Sequence, residues 1–153
     1  MSPIIQNPPT GGKGGTDFGN SLWKFKPVRQ LEVWWGQGSG DQHQYTVLKG
    51  LRLHWDGESP ASTGTVPQDD SDDLLHSSYT FADHEKIHWM NIHGAPSESS
   101  GRADSLRFLA NNNFAAGGSG GGKRQQSIGN GTLFGLQGKS GSDIDSLRAV
   151  FQP

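Results

Sequence analysis

Near its end the chain reads Gly141-Ser142-Asp143-Ile144-Asp145, and near its start Gly11-Gly12-Lys13-Gly14-Gly15. A tight glycine-led turn presents consecutive backbone N–H groups, and the first of these segments also delivers one fixed carboxylate, Asp145. An ionised carboxylate only accepts hydrogen bonds and an amide N–H only donates. Together they suit a neutral polyhydroxylated ligand: two hydroxyls donate to the carboxylate while amides donate to the ligand's oxygens.

Other chemistry-bearing patterns fare worse. His84-Glu85-Lys86-Ile87-His88 matches a zinc-protease pattern, which works only on a helix, where positions i and i+4 share a face. The surrounding residues read as strand, and over four strand residues two imidazoles stand roughly 13 Å apart. No metal site is expected. Gly117-Gly118-Ser119-Gly120-Gly121-Gly122-Lys123-Arg124 approaches a phosphate-binding loop. Arg124 replaces the hydroxyl residue that holds magnesium, and no helix follows, so the segment reads as a strand connection. Gly118-Ser119-Gly120 lacks the spacing of a nucleophile elbow. Asp143 and Asp145 are a pair of carboxylates, a pattern that serves glycosidase chemistry only when two such groups face one bond about 5–10 Å apart. No catalytic set and no cofactor are expected.

The elements that must hold these residues are strands. Among 153 residues, 23 are glycine and only 31% are hydrophobic, which favours short strands joined by many turns over a helical bundle. Five Trp and seven Phe supply much of the area to bury. Apolar runs bounded by Gly, Pro, Asn or Asp predict strands over 22–25, 28–35, 45–55, 78–81, 86–92, 106–109, 132–137 and 146–151. Gly50 marks a bend in the longest. Residues 56–77, with the cluster Asp69, Asp70, Asp72 and Asp73, read as an exposed loop, and residues 111–122 as a turn or loop. Adjacent Trp34 and Trp35 point to opposite faces of a strand, one to core and one to surface. No fixed-period repeat is visible.

A net charge of −2 gives no basic field for nucleic acid or anionic lipid. No run approaches the ~20 apolar residues of a helical membrane span. With no cysteine and no basic, apolar signal at the start, the expected location is cytoplasmic, or outside the cell without a visible signal peptide. Asn130-Gly131-Thr132 reads as a turn.

Several of these segments carry a family resemblance. Gly-Gly-x-Gly-Gly-x-x-Phe from Gly11 to Phe18, Gly-x-x-x-Asp from Gly141 to Asp145, and Ile-Asp-Ser-Leu-x-x-x-Phe from Ile144 to Phe151 resemble the jacalin-related lectins. Val28-Arg29-Gln30-Leu31-Glu32-Val33, Glu85-Lys86-Ile87 and Ser105-Leu106-Arg107-Phe108-Leu109-Ala110-Asn111 resemble that family's inner strands. The likeness spans residues 10–151, behind a leader of residues 1–9 and within one domain, 10–153.

The resemblance implies an all-β fold: a β-prism of three four-stranded Greek-key antiparallel sheets with pseudo-threefold symmetry. It implies a non-enzymatic, metal-independent lectin whose partners are glycans or glycoproteins. By it, Gly15 contacts the sugar, Gly141 opens the binding turn, Ser142 and Asp143 donate backbone N–H, Ile144 follows in the same loop and Asp145 accepts two hydroxyls. Arg102, in the neighbouring loop, is a candidate wall. The uncut leader before Gly15 favours mannose or glucose over galactose. The usual aromatic of the final loop is replaced by Ser142 and Asp143, and no second motif is evident in residues 36–41, so one site is expected. A homo-oligomer is expected too. The alternative is a β-prism interaction or targeting module, related to the lectin modules of pore-forming toxins, with a vestigial sugar site.

Overall fold

The computed structural model describes residues 3–67 and 73–153, so Asp69, Asp70 and Asp72 lie outside the described residues. Strands β1 (Ile5–Gln6), β2 (Thr10–Gly11) and β3 (Thr16–Asp17) come first. Strands β4 (Val28–Gln37), β5 (Thr46–Trp55), β6 (Ala61–Gly64) and β7 (Leu75–Thr80) form one antiparallel sheet in the order β6-β5-β4-β7. Strands β8 (Trp89–Gly94), β9 (Ala103–Leu109), β10 (Asn113–Gly117) and β11 (Gly122–Gln125) form a second, ordered β10-β9-β8-β11. The closing hairpin, β12 (Leu133–Ser140) and β13 (Ile144–Phe151), makes the third sheet with the opening strands. There β1 and β2 lie in tandem along β13, and β3 lies along β12. Each sheet is thus four strands wide, and the three form a β-prism.

The inner faces build one core. Leu31, Val33, Leu51 and Leu53 come from the β4–β5 hairpin, Met90, Ile92, Leu106 and Phe108 from β8–β9, and Leu136, Leu147 and Phe151 from β12–β13. Strand β8 shows the alternation cleanly, with Met90 and Ile92 wholly buried between half-buried neighbours. Tyr79, Phe81, Phe108 and Phe114 stack through this core at centroid separations of 4.8–6.2 Å.

The pseudo-threefold relation is visible in a repeated clasp. On β2, Gly11 crosses β13 with φ +124°, where a methyl group would lie 2.2 Å from the Asp145 carbonyl oxygen. The next amide, that of Gly12, donates to that carbonyl at 2.8 Å. Gly118 N–H to Asp104 C=O at 2.9 Å, and Thr65 N–H to Lys49 C=O at 2.8 Å, repeat the contact in the other two sheets. Asp145, Asp104 and Lys49 are therefore equivalent positions.

Differences from the expected elements follow from edge strands. The 22–25 segment is not a strand: it makes an isolated bridge, Trp23 to Gly135, and scattered bonds to β12. The two expected loops contain β6, the first residues of β7, β10 and the first residue of β11. Ile5 and Gln6, in the leader, pair with Phe151 and Val150. Trp35 packs against the core as expected of one partner, but Trp34 on the other face is only 7% exposed. It is covered by His76, stacked at 4.4 Å, and by the Arg52 guanidinium at 5.3 Å. His84-Glu85-Lys86-Ile87-His88 is not helical, and Glu85 is engaged elsewhere: its carboxylate accepts from Tyr79 Oη, from Ala82 N at 2.7 Å and from Asn111 N at 2.8 Å.

Candidate carbohydrate-binding site

The β12–β13 hairpin ends in an exposed turn, Gly141-Ser142, closed by the Gly141 amide donating to the Asp143 carbonyl at 2.9 Å. Ile144 then turns fully inward and pins the turn to the core. Its side chain lies in the core, so only its backbone can line the turn. Thr65 Oγ1 donates to the Ser142 carbonyl at 2.8 Å and braces the turn from the neighbouring sheet.

Asp145 follows at the start of β13 and is only 6% exposed. The 11–15 loop folds over it. A methyl group on Gly14 would lie 2.9 Å from Asp145 Oδ2, and one on Gly15 would lie 2.5 Å from Oδ1. No side chain fits at Gly15, whose φ is +79°. Burial pushes the Asp145 carboxyl above its ordinary value, with the nearby Asp143 charge adding to the rise, while Arg102 and Lys139 oppose it. Arg102 Nη1 stands 3.6 Å from Asp145 Oδ2.

Asp143 has, through its side chain, a structural part that the sequence reading did not assign to it. Its side chain is wholly buried and ties three loops together. Lys49 Nζ donates to Oδ1; Ser39 N, Ser39 Oγ and Arg102 Nε donate to Oδ2 at 2.9, 2.9 and 2.8 Å. Burial opposes ionisation most strongly, but these donors together outweigh it and hold the carboxyl below the usual range. Arg102 is equally fixed. It donates to the Ser100 carbonyl, and to that of Ser39 at 3.4 Å, and its side chain is only 12% exposed. It is a brace between two carboxylates rather than a free wall.

The structure therefore brings Gly15, Gly141, Ser142, Asp143, Asp145 and Arg102 to one end of the prism. Lys49, Ser39 and Thr65 were missing from the sequence reading. Lys49 had a signal, a lone cation inside the apolar run Val47-Leu48-Lys49-Gly50-Leu51. Ser39 and Thr65 had none. A separate cleft of about 280 Å³ lies at the opposite end of the prism, where Arg29 bonds Asp56 and Asp83, each at 2.7 Å. There the Arg29 guanidinium is already engaged by both carboxylates.

A three-sheet β-prism with a buried carboxylate beneath a glycine loop defines a lectin-type scaffold. A sequence profile of the jacalin-like lectin domain matches residues 8–150, and the chain belongs to that family. Among solved structures, lamprey immune protein is similar with a TM-score of 0.75 and 23% identity; the likeness covers 99% of this chain and 45% of that one. This chain thus spans less than half the length of that protein. Artocarpin complexed with Me-α-mannose is similar with a TM-score of 0.70 and 19% identity, over the whole of both chains. Malaysian banana lectin gives 0.67 and 19%, over 99% of each. A comparison with curated protein sequences yields no match.

Proposed function

We propose that the protein is a non-enzymatic lectin that binds mannose- or glucose-type glycans where the 11–15 loop meets the 141–145 turn. The observation that carries this reading is the Asp145 carboxylate held within the reach of Gly14 and Gly15 and beside the exposed Ser142 turn. Asp145 accepts from two adjacent sugar hydroxyls; backbone amides of Gly15, Ser142 and Asp143 donate to the ring and hydroxyl oxygens. Mannose is supported by its presence in the similar artocarpin structure. Recognition needs no ion, because every group invoked is an amide or a carboxylate. On a glycan array, the purified chain should retain mannose- or glucose-terminated ligands in excess chelator. An array without carbohydrate signal contradicts the reading, and loss in chelator that calcium restores contradicts the metal-free mechanism.

Self-association belongs to the same reading, since weak monosaccharide sites gain useful avidity only in multiples. The surface for it is not tryptophan: among the described residues no Trp is exposed. Phe25 is 65% exposed and packs edge-on against Trp23 at 4.8 Å, making an apolar patch with Phe134. Light scattering at micromolar concentration should report a particle larger than 16.5 kDa that Phe25→Ser reduces. A wild-type particle of monomer mass removes this part of the reading.

A further inference from the structure

We propose that Asp104, with Gly120 and Gly121, forms a second sugar-binding site of the same kind, on the sheet related to the first by the pseudo-threefold axis. This rests on the sugar-binding reading of Asp145 and extends it to residues 94–121.

The two places correspond in local sequence, strand register and loop approach. The tetrapeptide Asp-Ser-Leu-Arg occurs at 104–107 and again at 145–148. Ser105 pairs with Gly117 as Ser146 pairs with Gly11. The loop that follows Gly117 then passes over Asp104 as the 11–15 loop passes over Asp145. A methyl group on Gly120 would lie 3.2 Å from Asp104 Oδ2, against 2.9 Å for Gly14 and Asp145 Oδ2. One on Gly121, at φ +82°, would lie 3.0 Å from Asp104 Oδ1 and 2.7 Å from the Gly94 amide nitrogen. Gly15, at φ +79°, has the corresponding approaches of 2.5 Å to Asp145 Oδ1 and 3.0 Å to the Ser140 amide nitrogen. The glycine run that looked like a degenerate phosphate loop is this second loop.

Three further observations favour a ligand here over a vestige. Asp104 is only 8% exposed, yet among the described residues its carboxylate has no hydrogen bond and no ion pair; burial alone pushes it up to about 6. Its carboxylate lines an open cleft, where sugar hydroxyls can donate to it. A cleft of about 330 Å³ opens over it, bordered by Tyr45, Pro96, Arg102, Gly120 and Gly121. Tyr45 is 50% exposed and supplies the aromatic wall that the first site lacks. The third equivalent position holds Lys49, whose ammonium is spent on Asp143. Two sites per chain follow, not three.

The test is a two-dimensional amide NMR titration at pH 7.5 with methyl α-mannoside and, separately, methyl α-glucoside. Wild type should show two groups of moving amides, one at Gly14, Gly15 and Ser142 and one at Ala103, Gly120 and Gly121. Asp104→Asn should silence only the second group, and Asp145→Asn only the first. Lowering the pH from 7.5 to 5 should weaken the second group about tenfold, because most of a carboxyl of pKa about 6 is then protonated. Since this carboxyl titrates above its unfolded value, its contribution favours folding below about pH 4 and is lost as pH rises through about 6. Asp104→Asn should therefore raise the melting temperature at pH 7.5 by roughly 2–6 °C. A first group that moves while the second stays still overturns this proposal and leaves the first site standing. A second group that moves unchanged in Asp104→Asn also overturns it. If neither group moves and the array is blank, both readings fall.

Discussion

Replacing Asp143 with alanine should lower the unfolding free energy by about 3–5 kcal/mol, the usual cost of removing one partner from a buried ion pair. The substitution leaves Lys49 buried beside apolar neighbours with its counter-charge gone, and strips Arg102 Nε and the Ser39 amide of their acceptor. Chemical denaturation followed by tryptophan fluorescence should show the midpoint falling with little change in slope. A loss under 1 kcal/mol would show that the hub is not structural. The same group sets an acid limit. Its folded pKa is depressed, so its contribution is complete above the ordinary unfolded value near 4 and is lost as pH falls through the lower, folded value. Wild type should therefore lose stability below about pH 4, and Asp143→Ala should lose less over that interval.

Asp145→Ala should abolish sugar binding at the first site while leaving the fold intact. Two charge-assisted hydrogen bonds at about 1.5–3 kcal/mol each compare with about 4 kcal/mol for a whole millimolar complex. Little binding energy survives their loss. Among the described residues the Asp145 carboxylate has one ion pair, with Arg102 at 3.6 Å, so its removal disturbs packing far less than that of Asp143. The two aspartates separate cleanly: one substitution costs stability, the other affinity. The readout is the shift of the Gly15 and Ser142 amides on adding methyl mannoside, with circular dichroism confirming the fold. Undiminished shifts in Asp145→Ala would remove this carboxylate from the site.

The two glycine-bearing segments of the candidate site stand out in the sequence because each is a contiguous motif, with Gly14-Gly15 on one and Asp145 on the other. The long strands were legible from apolar runs such as Val28 to Trp35. The edge strands were not. In β11 all four residues are exposed, and β6 alternates half-buried with exposed, so neither carries an inward apolar pattern. The 22–25 segment has strand-like aromatics, but Trp23 and Phe25 serve side-chain packing against Phe134 rather than a hydrogen-bonded ladder. The Asp143 side-chain hub could not be read from the sequence because Lys49, Ser39 and Arg102 are 94, 104 and 41 residues away, and no local pattern encodes such a hub. The Asp-Ser-Leu-Arg repeat was in the sequence throughout; only the shared strand register shows that its two copies hold equivalent positions.

The most direct measurement of the central claim is a crystal structure of the chain grown with methyl α-mannoside in the presence of chelator. The account predicts a sugar between the 11–15 loop and the 141–145 turn, with two adjacent hydroxyls within about 3 Å of the Asp145 carboxylate and the Ser142 and Asp143 amides facing its oxygens. A saturating sugar that leaves Asp145 uncontacted, or that is held there through a metal ion, would contradict it.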